Sequence, residues 1–253
     1  MRELDYFTQI NQSAKQQGYL EKISESRGYT SNEILNSYRA VFIPNGNEMM
    51  ELLGSTSISK MLFTPDNRSF VPGKLFIPGF TPLGHLVTYV SYDAIARMEA
   101  KETGKYDRPY YFYPDESTGF KKSNFLLMPY DSWEKALETK EISIADGVFD
   151  AGAVSSCDIP CAANLGTTLG AGVKKILSTF DRVSIYKDND SAGTELYKEL
   201  TRNLRNVNLV KIPPAVGKDI DGFIQKYGKD KFKASITPTG RVDLVSKRFD
   251  RFK

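Results

Sequence analysis

The sequence predicts an α/β protein: a parallel sheet flanked by helices over residues 136–236, preceded by a mixed α+β N-terminal part over 1–135 and followed by a basic tail, 237–253. Three observations predict it. From about residue 136, strand-like apolar runs alternate with helical patterns, the rhythm of crossover connections and a parallel sheet. Before that point, Pro and Gly punctuate short β-prone runs, which read as paired strands. Three of the later runs, "EISIA", "RVSIY" and "VNLVKIP", lead into aspartates.

In chain order, residues 1–62 read as mostly helical, a small subdomain in which Thr30 or Ser31 caps a helix carrying Ile34 and Leu35. The runs "GKLFIPGF" and "GHLVTYVSY" predict two strands joined by a turn at Thr81 to Gly84. A charged stretch, "ARMEAKETGKYDR", leads to the aromatic run Tyr110 to Tyr113. After "DNDSAG", Leu196, Leu200 and Leu204 recur at i, i+4, i+8 and form one apolar helical stripe; Ile220, Phe223, Ile224 and Tyr227 repeat the pattern. The last residues read as a short strand or basic tail.

Composition narrows the class. A chain of 253 residues with 40% apolar residues supports a real core, and a net charge of +3 permits a nucleic-acid partner without demanding one. The two cysteines, Cys157 and Cys161, and the single His85 supply too few ligands for a four-ligand zinc site, so zinc is not expected in this chain. The spacing of "CDIPC" is not that of a redox pair, and the cysteines read as small semi-buried residues in a reducing cytoplasm. No stretch reaches the ~18 apolar residues of a membrane span, and the N-terminus lacks a signal-peptide core. A cytoplasmic protein without a membrane partner is the expectation.

The parallel segment carries the chemistry. In an open parallel sheet, ligands sit beyond the carboxyl ends of the strands. Asp146 follows the first acid-bearing strand, Asp188 and Asp190 the second, and Asp219 and Asp221 the third. Carboxylates gathered there repel unless neutralised, and hard oxygen ligands suit Mg²⁺ or Mn²⁺, which bridge to phosphate oxygens. A phosphate ester or nucleotide is the matching substrate. The loop "LGTTLGAG", with Gly166 and Thr167, offers backbone N–H groups to an anion. A single acidic pair after a strand is more often a helix cap or turn; three in succession favour the metal site.

The order "ISIADGVFDA", "AANLGTTLG", "SIYKDNDSAG", "GKDID" resembles the TOPRIM fold of DnaG-type bacterial and phage primases. Upstream, "YLEKISESRGYTSNEIL", "GKLFIPGFTPLGHLVTYVSY" and "RPYYFYPDESTGFKKSNFLL" resemble segments of the primase polymerase core in the same order. The resemblance implies a DNA-directed RNA polymerase that makes short RNA primers on single-stranded DNA from ribonucleoside triphosphates, working with a pair of Mg²⁺ or Mn²⁺ ions. It implies Asp188 and Asp190 as the metal-binding pair, Asp146 in the place of the family's glutamate, and Asp219 and Asp221 as further ligands or supports. Lys122, with Lys121 beside it, Lys74 and Lys187 take nucleotide or template positions. Tyr92 and Tyr110 stand where the family has arginine and lysine, removing two phosphate contacts. The zinc-binding module and helicase-binding domain of complete bacterial primases have no counterpart here, so a separate template-recognition module and a replicative helicase are expected partners, in the host cytoplasm if the chain is phage-encoded. The alternatives are a TOPRIM metal-dependent nuclease or phosphodiesterase, and a nucleic-acid-binding module with weak catalysis.

Overall fold

The computed structural model describes residues 2–53, 73–105, 109–114, 120–166, 168–186, 191–211 and 220–238. Among them, two sheets organise the chain. The first is antiparallel and four-stranded: β1 (Val41–Ile43), β2 (Lys74–Phe80), β3 (Leu86–Tyr92) and β4 (Tyr111–Phe112), in that order. The second has six strands: β5 (Leu126–Leu127), β6 (Glu141–Ala145), β7 (Cys161–Asn164), β8 (Arg182–Tyr186), β9 (Val207–Lys211) and β10 (Thr237–Pro238), ordered β10-β9-β8-β6-β7-β5. Its four central strands are parallel, and β5 and β10 pair antiparallel at the edges.

The N-terminal helices are α1 (Glu3–Asn11), α2 (Ala14–Ser26), α3 (Glu33–Ser37) and α4 (Gly46–Leu53). The expected helical subdomain is not purely helical, because the β-prone "VFI" of β1 pairs with β2 and ties these helices to the first sheet. Residues 54–62 of that expectation lie outside the described residues. The expected cap also moves. Asn32, not Thr30 or Ser31, precedes α3, and instead of capping it donates to the Gln17 side chain, 2.9 Å away. The β2–β3 hairpin closes as expected, with Thr81 N–H donating to the His85 carbonyl.

The charged stretch forms α5 (Ala94–Thr103), capped by Asp93, whose carboxylate accepts from the Ala96 N–H, and ended by Gly104 in the left-handed region. Four further helices, α6 (Ser132–Thr139), α7 (Val148–Ser155), α8 (Ala171–Leu177) and α9 (Ser191–Asn203), alternate with the central strands. Helices α10 (Ile220–Tyr227) and α11 (Lys229–Ser235) close the chain before β10.

Burial follows the apolar spacing. Leu196, Leu200 and Leu204 are buried under α9, as are Ile220, Phe223 and Ile224 of α10; Tyr227 is turned out to solvent. The first sheet has two used faces, because alternate residues of a strand point opposite ways. Phe76 stacks on Phe7 of α1, 5.4 Å between ring centres, while Leu75, Ile77, Val90 and Tyr92 pack toward the second sheet. The second sheet extends beyond residues 136–236 at both edges, taking in β5 and the start of the expected tail. Cys157 and Cys161 are fully buried free thiols, and burial pushes both thiols up, away from the reactive thiolate.

Candidate active site

Parallel register brings the strand ends level. Ala145 of β6 sits opposite Ala163 of β7 and Tyr186 of β8. The residue just after β6 is Asp146; on β7 the one after Ala163 is Asn164, the last of its strand. A cavity of about 290 Å³ opens there, lined by Asp146, Asp150, Asn164, Leu165, Val90, Tyr111 and Tyr113, among others. Asp146 reaches it because β6 ends at Ala145 and α7 starts at Val148, leaving a two-residue turn.

The opposite wall comes from the first sheet. Burial, and then the charge of Asp146, raise the Tyr113 phenol above its usual range, and both side chains line the cavity. The Lys122 ammonium lies 3.9 Å from the centre of the Tyr113 ring. Its 3₁₀ turn, Lys122–Asn124, is pinned to the Gly-rich loop: Gly170 N–H donates to the Ser123 carbonyl at 2.6 Å, and a Cβ on Gly170 would lie 2.2 Å from Asn124 Oδ1. Only glycine permits that approach. Gly166 passes the same turn: a Cβ on it would lie 3.9 Å from Lys122 Cβ. Lys121 is exposed next to it.

Behind the cavity lies a buried ionic cluster. Asp221, in the first turn of α10, accepts from Arg27 Nη2 at 3.0 Å, Tyr29 OH at 2.6 Å and Gln225 Nε2 at 2.9 Å. Arg27 also donates to Tyr92 OH at 2.8 Å and stacks 3.5 Å over the Phe149 ring. Burial opposes the Arg27 charge, but Tyr29, Tyr92, Tyr111 and Asp221 outweigh it and hold the guanidinium protonated. The Asp221 N–H donates to Asp150 Oδ1 at 3.0 Å, which couples the cluster to the cavity lining. Asp221 is therefore enclosed by protein donors, which suits it as a support. Tyr92, in the arginine's place, is a buried acceptor for Arg27, and Tyr110 lies under the Arg97 guanidinium, 5.2 Å away.

The remaining sequence-derived positions divide in two. Lys74 lies away from the cavity: it shares a strand face with Phe76, pairs with Asp93 at 3.6 Å and sits 4.6 Å from the Phe112 ring centre. Asp188, Asp190, Asp219, Lys187 and Thr167 lie outside the described residues. Two cavity residues escaped the sequence reading, Asp150 and Asn164. Asp150 had a signal, standing four residues after Asp146 in "DGVFD"; Asn164 had another, a polar amide closing the apolar run "CAAN".

Asn164 is 1% exposed; its Nδ2 donates to the Gly166 carbonyl, and its Oδ1 has no partner among the described residues. Leaving a buried acceptor unpaired costs roughly 1–3 kcal/mol. The donor set at this edge is oxygen alone, with His85 on the β2–β3 turn and both cysteines buried elsewhere, so the cavity fits a hard divalent cation better than zinc. Among the described residues no group of three or more His, Cys, Asp or Glu converges to hold an ion. A larger groove of about 560 Å³ between α3, α6 and the end of α7 holds Arg39 paired with Asp131 at 2.7 Å. No helix among the described residues is long and apolar enough to cross a membrane.

No protein-family model matches the sequence. The DNA primase of Aquifex aeolicus is 30% identical over 138 residues, 53% of this chain and 28% of that protein, and the Haemophilus influenzae DNA primase 26% over 139 residues, 51% and 23%. The chain thus spans about a quarter of the length of these bacterial relatives. A solved DnaG primase catalytic domain bound to ssDNA superposes with a TM-score of 0.69 at 20% identity, covering 93% of this chain and 78% of that one. In fold over nearly all its length, and in sequence over half of it, this chain is similar to the DnaG-type primase catalytic core with its TOPRIM domain.

Proposed function

We propose that this chain is a DNA primase catalytic core, a nucleotidyltransferase that extends short RNA on a single-stranded DNA template with Mg²⁺ or Mn²⁺. The observation that carries the reading is the cavity at the carboxyl ends of β6 and β7, lined by Asp146 and Tyr113 with Lys122 over the Tyr113 ring, within a primase-type fold. The solved relative bound to ssDNA and the bacterial relatives named DNA primase support the template and the chemistry.

Asp146 would hold the divalent ions together with Asp188, Asp190 and Asp219. The ions supply charge neutralisation for the triphosphate and a lower pKa for the attacking 3′-hydroxyl. Asp221 acts behind them, fixing the start of α10 through Arg27, Tyr29 and Gln225. Lys122, over the ring of the cavity-lining Tyr113 and with Lys121 exposed beside it, binds phosphate, and the loop at Gly166 passes the same turn. Tyr111 and Tyr113 exclude water from the wall opposite Asp146. The domain division at 135/136, a replicative helicase, a separate template-recognition module and a phage origin belong to the same proposal; a 23%-identical protein of Mycobacterium phage D29, Gene 57 protein, supports the last.

The test is incubation of the protein with a single-stranded template, four ribonucleotides, one of them labelled, and Mg²⁺ or Mn²⁺. Template-dependent short RNA, abolished by Asp188→Ala, is expected. Degradation of the template without synthesis would assign the TOPRIM nuclease instead, and DNA binding with neither reaction a binding module.

A further inference from the structure

We infer that Asn164 is a positioning residue of the Asp146 cavity, its side-chain oxygen accepting a hydrogen bond from the hydration shell of the divalent cation. This rests on the proposed metal chemistry and adds a residue to it. Asn164 follows Ala163, the register partner of Ala145, so its amide and the Asp146 carboxylate leave adjacent parallel strands side by side, where strands run about 4.8 Å apart. The amide is oriented by its own Nδ2, which donates to the Gly166 carbonyl at the start of the Gly-rich loop. With Nδ2 turned to that carbonyl, the oxygen is the end left without a partner among the described residues.

A buried acceptor without a donor calls for a ligand that brings one. Magnesium and manganese keep several of their waters when bound by few carboxylates, and those waters are strong donors. A neutral amide oxygen serves such a shell without adding to the repulsion among aspartates. Asp146 is one methylene shorter than a glutamate would be, so ion contacts through water are in keeping with its reach. The same bond to Gly166 sets the loop that faces Lys122, so Asn164 links the cation to the phosphate side of the cavity.

The experiment measures Mn²⁺ binding to the whole chain, without nucleotide, by calorimetry or electron paramagnetic resonance, with circular dichroism and the ion-free Tm as folding controls. Asn164→Ala should weaken Mn²⁺ about tenfold, the usual scale for an outer-shell partner. Asn164→Asp also loses the Gly166 bond but keeps an oxygen and adds charge, and it should bind Mn²⁺ at least as tightly as the native chain. If both variants weaken binding alike, the loop bond is what matters and the inference is overturned. An unchanged constant in Asn164→Ala overturns it too, while leaving the metal reading intact. Failure of the native chain to take up Mn²⁺ would bring down the metal reading and this inference together. Should the alanine variant not fold, the aspartate variant decides: tighter binding supports the assignment, weaker binding ends it.

Discussion

Arg27 and Asp221, separated by 194 positions in sequence, meet at 3.0 Å in a largely buried ion pair, with the guanidinium carbon 3.5 Å from the centre of the Phe149 ring. The pair joins the end of the α2 region to the first turn of α10, so it welds the N-terminal part to the second sheet. Arg27→Met takes the cation from Asp221 and leaves Tyr29 and Gln225 as its side-chain donors among the described residues. Unfolding in urea should show a loss of about 3–5 kcal/mol, the scale for breaking a buried pair from one side. Adding Asp221→Leu should recover part of the loss, since the orphaned charge goes with it. A loss below about 1 kcal/mol would place the pair in the class of surface bridges.

Lys122 and Lys74 should part company in a DNA-binding titration. Lys122→Gln removes the ammonium over the ring of Tyr113, a cavity-lining residue. Its affinity for a single-stranded oligonucleotide should fall, and the log–log salt slope should shrink by about 0.7 if one phosphate contact is lost. Lys74→Gln, on the opposite face of its sheet and paired with Asp93, should leave the slope unchanged.

Gly170 is held against the 3₁₀ turn by lack of space. A methyl group there meets Asn124 Oδ1 at 2.2 Å and the Ser123 carbonyl at 3.0 Å. Gly170→Ala should cost roughly 1–3 kcal/mol and lower the Tm, with weaker oligonucleotide binding as the turn carrying Lys122 is displaced. Gly172, two residues on, has nothing within 4 Å of its would-be Cβ, and Gly172→Ala should be neutral or stabilise by up to about 1 kcal/mol. Equal effects at both positions would contradict the packing argument.

Alkaline pH offers a test of the core. Burial raises the phenols of Tyr29, Tyr38, Tyr111 and Tyr186 above the ordinary tyrosine value. Their folded pKa values are raised, so the unfolded chain loses these protons first. The stability they contribute is fully present below about pH 10, the unfolded value, and declines above it. Urea midpoints should stay level from pH 8 to about pH 10 on this account and fall beyond it. Tyr38→Phe should soften the decline, while losing the hydrogen bond that Tyr38 OH donates to the Val148 carbonyl.

Much of this architecture was legible in the linear chain, because the apolar period and the turn residues are local properties. Alternation in "EISIA" and "RVSIY", the i, i+4, i+8 leucines of α9 and the Thr81–Gly84 turn each specify their element without distant partners. The helix of "AIARMEAKET" was legible too, in its Asp93 cap and Gly104 terminator, though its charge drew attention away from them.

The sequence by itself determined the kinds of layer and the edge of the sheet at which Asp146 lies, since strand direction and carboxyl-terminal placement follow from crossover spacing. Only the tertiary structure separated the roles of the two described members of the expected set of acids, Asp146 and Asp221. Asp146 and Asp221 read alike in the chain as aspartates at the ends of parallel units. Asp221 is drawn instead into a cage of Arg27, Tyr29 and Gln225, and Asn164, an uncharged residue, takes a place beside Asp146. The reason is that a carboxylate's role depends on which donors reach it first; Gln225 is local, but Arg27 and Tyr29 come from more than 190 positions away, where no local pattern records them.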